Sequence, residues 1–334
     1  MQNANCKVQN ASRCPLSRGG PKRGHFSFSI LYFILCISLS ALWIFAPYSP
    51  ALAGDFPLSL TDALGHTVTL NACPKRIVSL APSNTEILYA IGVGNRVVGV
   101  TSYCNYPDEA AQKPQVGGFS NPNLEQIVSL RPDLVLAARF NPLDVLEALR
   151  RLNIPVFALA PATIAEALQT LRTVGLLTGE QASAAQLEAA QQTRFQAIEQ
   201  TVAEIPEAHR PRVLWGRLEA PMYTAGPGSF IGSLIRLAGG TNIAADADAD
   251  WVQIGLETIV TRNPQIIIVS DHTPGDIEKG LERLRKAPGW TTVDAIASGR
   301  VYSINLDLLG RPGPRLINGL EALAHILHPH RFRP

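Results

Sequence analysis

The chain has 334 residues, 46% of them hydrophobic, and carries 29 basic and 27 acidic side chains for a net charge of +2. This length and composition are typical of a globular protein with two ordinary domains, and they exclude a disordered or fibrous chain. Five basic residues and no acid precede residue 54, so the rest of the chain keeps 24 basic and 27 acidic residues, a net charge of −3. Without a basic stripe there, nucleic acid is not expected as a partner.

The first 53 residues have the pattern of an export signal. A basic stretch at 1–25 is followed by the apolar run FSFSILYFILCISLSALWIFA and by ALAGD at 51–55. A basic segment, an apolar segment and a small-residue cleavage site are typical of a secretory signal peptide. We therefore expect 1–53 to be a signal peptide, cleaved after Ala53, and the protein to be periplasmic. The apolar run is also long enough to cross a membrane, so an uncleaved anchor is the alternative.

The following chain predicts two matching halves. Short β-branched runs alternate with helical patterns, beginning with RIVSLA, SNTEILYAIGVG and RVVGVT. Apolar runs separated by amphipathic helices indicate parallel strands joined by right-handed crossovers. Residues 180–206 have no internal Gly or Pro and many good helix formers, which predicts one long helix. We therefore expect an α/β fold of two Rossmann-like lobes with parallel sheets, at 54–179 and 207–334, joined by that rigid α-helix.

Each predicted lobe contains nearly the same phrase. The first reads NLEQIVSLRPDLVLA at 123–137, and the second reads GLETIVTRNPQIIIV at 255–269. Both begin a helix with a glutamate, Glu125 and Glu257, and both continue through a proline into an apolar strand. An acid in the first turn of a helix favourably meets the helix dipole. That effect explains a single glutamate more easily than two in matching places.

The loops predicted at the carboxyl ends of the strands are rich in aromatic residues. Ligands of open parallel sheets bind at this edge, and aromatic rings offer flat, stiff contact area. Any one of the rings could serve local packing, but together they favour an apolar, planar or macrocyclic ligand. The six residues are Tyr103, Tyr106, Phe119, Phe140, Tyr223 and Trp251.

Two local patterns predict structural features. Cys73 and Cys104 flank neighbouring predicted strands at opposite ends, too far apart for a bridge, so we expect two free thiols. In APSNTE, Ser83 is followed three residues later by Glu86, which is the spacing of a capping box at a helix start.

No motif of a common enzyme class is present in the sequence: there is no phosphate loop, GxSxG, HExxH or CxxC. A chelatase-like enzyme with two similar lobes would need His or Glu ligands from both lobes, and His272 alone does not provide them. The C-terminal HILHPH, with His325, His328 and His330, has plausible metal spacing, but we expect surface or structural histidines. We therefore expect no catalysis, no metal and no cofactor.

Four segments identify a family resemblance. KRIVSLAPSNTEILYAIGVGNRVVGVTSYCNYP, VGGFSNPNLEQIVSLRPDLVLA, YTAGPGSFIGSLIRLAGGTNIA and WVQIGLETIV strongly resemble the helical-backbone (class III) periplasmic substrate-binding proteins of ABC importers. The resemblance covers about residues 75–325 and is greatest to the members that bind cobalamin (vitamin B12). It implies a monomeric binding protein that captures a small molecule between its lobes and delivers it to a permease.

The resemblance also implies roles for individual residues. In the family one glutamate on each lobe docks into arginines of the permease, and Glu125 and Glu257 occupy those positions. The residues that match the ligand site of the family are Tyr103, Phe119, Phe140, Tyr223, Trp251, Asp307 and Arg311. Among them Asp307 and Arg311 fall where an acid and an arginine reach the polar edge of the ligand.

One departure from the family pattern concerns the shape of the ligand. Ala138 stands where the cobalamin binder has a tryptophan, so either Phe140 replaces that ring or the ligand differs there. A ferric siderophore or haem is the alternative ligand. Siderophores are often anionic and would require several arginines, for which only Arg139, Arg217 and Arg311 are candidates. The aromatic residues therefore favour a corrinoid.

Overall fold

The computed structural model describes residues 56–216, 221–269, 281–282 and 284–332. The predicted signal peptide lies outside the described residues, as do Arg217 and His272. Among the helices within the described ranges, none is both long and apolar enough to cross a membrane.

The chain enters the first lobe through an antiparallel hairpin of β1 (Leu58–Thr61) and β2 (Thr67–Leu70). Buried Asp62 holds this hairpin, because its carboxylate accepts hydrogen bonds from the backbone N–H groups of Leu64 and His66 at 2.9 and 2.8 Å. The same carboxylate pairs with Arg150 at 3.0 Å. The hairpin is therefore fixed to the body of the lobe by a charged group with several partners.

Four parallel strands form the sheet of the first lobe: β3 (Ile77–Ser79), β4 (Val97–Val100), β5 (Leu134–Ala138) and β6 (Val156–Leu159). Their order is β4-β3-β5-β6. Alternate residues enter two different apolar clusters, with Ile77 and Leu134 in one and Val78 and Val135 in the other. Both faces of the sheet are therefore covered, as expected of parallel strands. The helices of this lobe are α1 (Pro82–Ala90), α2 (Asp108–Ala111), α3 (Leu124–Ser129), α4 (Leu143–Arg151) and α5 (Ile164–Thr178).

A single helix, α6 (Gln181–Ala203), connects the two lobes. Its 23 residues correspond to about 35 Å at 1.5 Å per residue. Near its start, Glu188 accepts two 3.0 Å hydrogen bonds from Arg172 of α5. Near its end, Ile198 and Val202 join an apolar cluster of the second lobe. The helix is therefore packed on both lobes rather than exposed as a free linker.

The second lobe repeats the arrangement of the first. Its strands are β7 (Arg212–Gly216), β8 (Tyr223–Ala225), β9 (Thr241–Asn242), β10 (Trp251–Gln253), β11 (Ile266–Val269) and β12 (Val301–Ser303). Four of them form a parallel sheet in the order β12-β11-β7-β9, and β8 and β10 form an additional antiparallel ribbon. The helices are α7 (Phe230–Leu237), α8 (Leu256–Arg262), α9 (Asp294–Ala297), α10 (Leu306–Gly310) and α11 (Leu316–Leu327). The predicted α/β fold of two parallel-sheet lobes is confirmed.

The lobes also share apolar packing outside α6. Ile164 and Ala167 of α5, in the first lobe, belong to the same buried cluster as Leu316 and Ile317 of α11 in the second. Arg194 of α6 forms an ion pair with Glu321 of α11. Helices α5, α6 and α11 therefore form a continuous support along one side of the molecule.

Both cysteines in the described part of the chain are free, as predicted. The Cys73 thiol donates a hydrogen bond to the Thr178 carbonyl at 3.0 Å. Cys104 is buried, and its sulfur lies 3.2 Å from the hydroxyls of Thr85 and Thr101.

Candidate functional site

Loops from both lobes meet beyond the carboxyl ends of the parallel strands. The side chain of Asn105, which follows β4, donates a 3.1 Å hydrogen bond to Asp307 of α10. Arg311 donates to the Tyr103 carbonyl at 3.1 Å. We call the surface formed by these loops and by the β8–β10 ribbon the cleft. Ligands of parallel α/β sheets bind at this edge.

Most of the predicted aromatic residues are exposed on this surface. Five of the six have between 45% and 75% of their area in solvent, whereas Phe119 is half-buried. Such large apolar rings are usually covered in a folded protein, so their exposure along one edge indicates a binding surface. The five exposed rings are Tyr103, Tyr106, Phe140, Tyr223 and Trp251.

A buried asparagine positions two of the aromatic residues of the first lobe. Asn141 donates hydrogen bonds to the carbonyls of Phe119 at 2.9 Å and Leu80 at 3.1 Å, and it accepts one from the Ala138 N–H at 2.7 Å. It therefore joins the ends of β3 and β5 to the loop before α3. Phe140 directly precedes it, so one polar side chain fixes the backbone beside both phenylalanines. The sequence predictions did not include Asn141, although an asparagine three residues after a buried strand was a visible signal.

The β8–β10 ribbon supplies the aromatic residues of the second lobe. Tyr223 pairs with Gln253 and Trp251 pairs with Ala225, so both rings project from the same face of the ribbon. Behind Trp251 lies buried Trp215 at the end of β7, with ring centroids 5.5 Å apart and planes tilted by 58°. Trp215 therefore supports the exposed ring.

Four charged side chains form what we call the interlobe ion cluster: Glu86, Asp307, Arg311 and Arg315. The Glu86 carboxylate accepts hydrogen bonds from Arg315 at 2.6 and 2.9 Å and from Arg311 at 3.1 Å. Arg311 also pairs with Asp307 at 2.8 Å. The hydrogen bonds to Glu86 raise the pKa of Arg315, so the guanidinium of Arg315 stays protonated. The two positive and two negative charges balance one another.

The capping-box prediction for Ser83 and Glu86 is wrong. Helix α1 begins at Pro82, and its N-cap residue, Ala81, makes no side-chain hydrogen bond. Ser83 and Glu86 lie inside the helix on a buried face, and the carboxylate reaches the second lobe instead of its own helix start. The sequence carries no signal for this burial, because residues 83–88 are mostly polar and yet all six are buried. Arg315 was missed as well.

The predicted ligand residues Asp307 and Arg311 are placed at the cleft, where they already have protein partners. The Asp307 side chain is almost fully buried, and Arg311 also donates to Asn105 at 2.7 Å. Arg315 lies 4.0 Å from the ring centre of Tyr106, in a cation–π contact. Arg139 lies over Phe140 at 5.7 Å. The cleft arginines of the described chain are therefore largely engaged with acids and rings.

The two predicted docking glutamates stand on equivalent helices. Glu125 lies in the first turn of α3 and Glu257 in the first turn of α8, and both are exposed. The end of α3 is held by Arg76, whose guanidinium donates to the carbonyls of Leu130 and Arg131.

Arg212 repeats in the second lobe what Arg76 does in the first. It donates to the carbonyls of Arg262 and Asn263, at 3.1 and 2.9 Å, at the end of α8. Arg131 and Asn263 both adopt the left-handed conformation, with φ of 46° and 41°. The end of the helix and its connection to the following strand are therefore built in the same way in both lobes.

Two of the C-terminal histidines, His325 and His328, have local partners. Nε2 of His328 donates to the Gly239 carbonyl at 3.0 Å, and burial lowers the pKa of His328. Nδ1 of His325 lies 2.5 Å from the Phe332 carbonyl. Within the described ranges, no group of three His, Cys, Asp or Glu side chains is arranged to hold a metal ion.

Comparison with known proteins agrees with this geometry. The family model for periplasmic binding proteins matches residues 77–308. A cobalamin-binding protein of Halobacterium salinarum is 32% identical over 92% of this chain and 85% of its own length. An uncharacterized ABC transporter substrate-binding lipoprotein of Bacillus subtilis, YvrC, is 35% identical over 83% of this chain and 88% of its own length.

Solved structures share the same fold. The periplasmic vitamin B12-binding protein BtuF of Vibrio cholerae aligns with a TM-score of 0.67 and 28% identity, covering 76% of this chain and 96% of that one. The periplasmic haem-binding protein RhuT of Roseiflexus sp. RS-1 aligns with a TM-score of 0.69 and 29% identity, covering 77% and 99%. These relatives are substrate-binding transport proteins and not enzymes. The chain belongs to the periplasmic binding protein family.

Proposed function

We propose that the protein captures a corrinoid, cobalamin or a close relative, in the periplasm and delivers it to the permease of an ABC importer. The observation that carries this proposal is the pairing of exposed aromatic rings from both lobes with a charge-balanced polar cluster. A corrin ring system offers a large face for the rings and amide groups for the polar residues. The relatives named as cobalamin or vitamin B12 binders support the same ligand class.

The ligand contacts that we propose are the aromatic residues of the cleft and its polar residues. Exposed rings lose apolar area to the ligand at about 25 cal/mol per Å², and they are already held in place by their neighbours. Phe140 provides the aromatic contact that Ala138, which has no ring, cannot provide. The proposed contacts are Tyr103, Phe119, Phe140, Tyr223, Trp251, Asp307 and Arg311.

A haem or a ferric siderophore is the second candidate ligand, since RhuT is named as a haem-binding protein. The charge balance of the cleft argues against an anionic chelate. Arg311 and Arg315 are neutralised by Glu86 and Asp307 before any ligand arrives. An anionic ligand would have to displace these acids from their arginines.

Delivery is proposed to depend on Glu125 and Glu257, which would meet arginines on the two halves of a permease. Matching acids on two similar lobes suit a partner with two-fold symmetry. A single exposed ion pair contributes only about 0–1 kcal/mol. The pair would therefore act chiefly through orientation and steering.

The test begins with the protein purified after export. Intrinsic tryptophan fluorescence and absorption spectra after desalting are recorded with cobalamin, haem and a ferric hydroxamate chelate. With cobalamin, but not with haem or the chelate, we expect saturable quenching and a ligand spectrum that is retained after desalting. Retention of haem or of the chelate, with no response to cobalamin, would refute the corrinoid proposal. The mass of the same sample tests cleavage after Ala53.

A further inference from the structure

The interlobe ion cluster joins parts of the chain that are distant in sequence. Glu86 stands on α1 of the first lobe, and Arg311 and Arg315 follow 225 and 229 residues later, between α10 and α11 of the second lobe. The side chain of Glu86 is only 1% exposed. Its carboxylate therefore depends on the other lobe, rather than on water, for compensation of its charge.

Neighbouring contacts surround this carboxylate with further links between the lobes. Asn105 of the first lobe bonds both Asp307 and Arg311 of the second. Arg315 covers the Tyr106 ring, and Leu316, the next residue, enters the apolar cluster that contains Ile164 of α5. The polar links thus continue the apolar contact between α5 and α11 up to the cleft.

Separating the lobes at this point would leave a buried carboxylate without its arginines. A buried charge that loses its partner is strongly unfavourable, whereas the same charge with two arginines is well compensated. Helices α5, α6 and α11 join the lobes along one side of the molecule, and a rotation about that side would open the cleft. The cluster adds an attachment beside the cleft that opposes such a rotation.

We propose that Glu86 is a positioning residue of the binding site: by holding Arg311 and Arg315 it fixes the separation of the two lobes. The cleft is then preformed, with its aromatic walls at their binding distance before ligand arrives. Preorganisation of this kind raises affinity because less motion is lost on binding. The effect on affinity rests on the proposed function, but the effect on lobe separation does not.

The test measures the distance between the lobes directly. Spin labels are attached to cysteines introduced at exposed Ser120 and Asp248, in a Cys73→Ser background, in the protein purified after export. Glu86→Gln keeps the shape of the side chain and removes its charge. Glu86→Gln with Arg315→Gln removes the link without leaving an unpaired arginine, and it serves if the single variant folds poorly. We expect a broader distance distribution, shifted to longer distances, in both.

Asp62→Asn is the matched control. Its carboxylate is equally buried and also pairs with an arginine, Arg150, but both groups belong to the first lobe. We expect lower thermal stability with an unchanged interlobe distance. A distribution in the Glu86 variants identical to that of the parent would overturn the proposal. Equal broadening in Asp62→Asn would overturn it too, because the effect would then be general loosening.

Ligand binding separates this proposal from the proposed function. In the Glu86→Gln, Arg315→Gln variant we expect cobalamin to bind about fivefold or more weakly, since the open cleft must be ordered on binding. Arg315→Lys in the parent protein keeps Glu86 and the positive charge beside it. This variant should bind cobalamin almost as tightly as the parent. If the parent binds no corrinoid, the ligand assignment fails while the distance measurement still decides the role of Glu86.

Discussion

In the first lobe, α3 starts at a side-chain cap from Asn123, whose Oδ1 accepts from the Gln126 N–H at 3.0 Å. In the second lobe, α8 starts at Gly255, which has no side chain to offer. The C-terminal ends of α3 and α8 do not differ in this way. Arg76 and Arg212 both donate from Nε to the final carbonyls, Arg76 also from Nη2, and both are themselves held by equivalent residues.

Those equivalent residues follow the proline of each repeated phrase. Asp133 accepts from the Arg76 N–H at 2.8 Å, and Gln265 accepts from the Arg212 N–H at 3.0 Å. The lobes therefore agree where the direction of the helix is fixed and differ where only its local stability is affected. Both lobes therefore share the features that place the two exposed glutamates.

The strongest loss of function is expected when Glu125 and Glu257 are both replaced. If Glu125 and Glu257 dock as proposed, Glu125→Arg with Glu257→Arg should abolish cobalamin uptake, because both positions would repel the arginines proposed on the permease. Affinity for the ligand should be unchanged, since both residues lie outside the cleft loops. Uptake of labelled cobalamin by cells and binding by the purified protein measure the two effects.

The control for this variant reverses two other exposed acids, Glu199→Arg with Glu207→Arg, and should leave uptake intact. Each single docking variant should reduce uptake to a similar extent if the lobes are equivalent. Loss of ligand binding in the folded double variant would contradict the assignment of these glutamates to docking.

Removal of the helix-end arginines tests the shared part of the two lobes. Arg76→Ala and Arg212→Ala should each lower the free energy of unfolding by about 2 kcal/mol, because several carbonyls lose charged donors. Urea denaturation measures the change. Lys75→Ala is the control, since the Lys75 backbone N–H is hydrogen-bonded to Asp133 and its exposed side chain is dispensable. A cost in one lobe alone would show that the equivalence is geometric and not energetic.

The aromatic wall of the second lobe is tested with Trp251→Ala. Cobalamin should bind at least about tenfold more weakly, a loss of about 1.4 kcal/mol. The melting temperature should fall by less than about 4 °C, because about half of the Trp251 side chain is already exposed to solvent. Titration of fluorescence or heat measures binding. Leu152→Ala removes an equally exposed apolar side chain at the opposite edge of the first lobe and should bind like the parent. Unchanged binding in Trp251→Ala would place the ligand elsewhere.

The smallest effect concerns the caps that distinguish the lobes. Asn123→Ala should destabilise the protein by about 1 kcal/mol. Gly255→Asn should stabilise it by a few tenths of a kcal/mol, about the difference between glycine and asparagine as caps. Space is available, since a Cβ at Gly255 would have no neighbour within 4 Å. Thermal and urea unfolding would detect both changes, and destabilisation by Gly255→Asn would show that the second helix depends on glycine.

The sequence predicts the fold better than the site because the fold is written in local patterns. Apolar runs, helix periodicity and the repeated phrase at 123–137 and 255–269 indicate two parallel-sheet lobes without reference to distant residues. The β8–β10 ribbon is different, since Tyr223 and Trp251 become neighbours only through pairing across a long connection. No short-range pattern predicts that pairing.

Glu86 shows the same limit more sharply. Its spacing from Ser83 satisfied a local rule for helix capping, but burial of α1 against the second lobe gave the carboxylate two distant arginines. Two charged hydrogen-bond partners outweigh one local cap. Asn141 was missed for a related reason, because its bonds join three loops that are adjacent only in the folded lobe.

The 229 residues between Glu86 and Arg315 also bear on the order of folding. A chain made from its N-terminus can complete the first sheet and α1 long before the last helix exists. During that interval the Glu86 carboxylate lacks its two arginines and must remain hydrated, so this side chain cannot reach its final buried environment. Closure of so long a loop is a slow, late event. Glu86 therefore reaches its native environment only when Arg311 and Arg315 arrive, and a truncation before residue 311 should destabilise α1 in the first lobe.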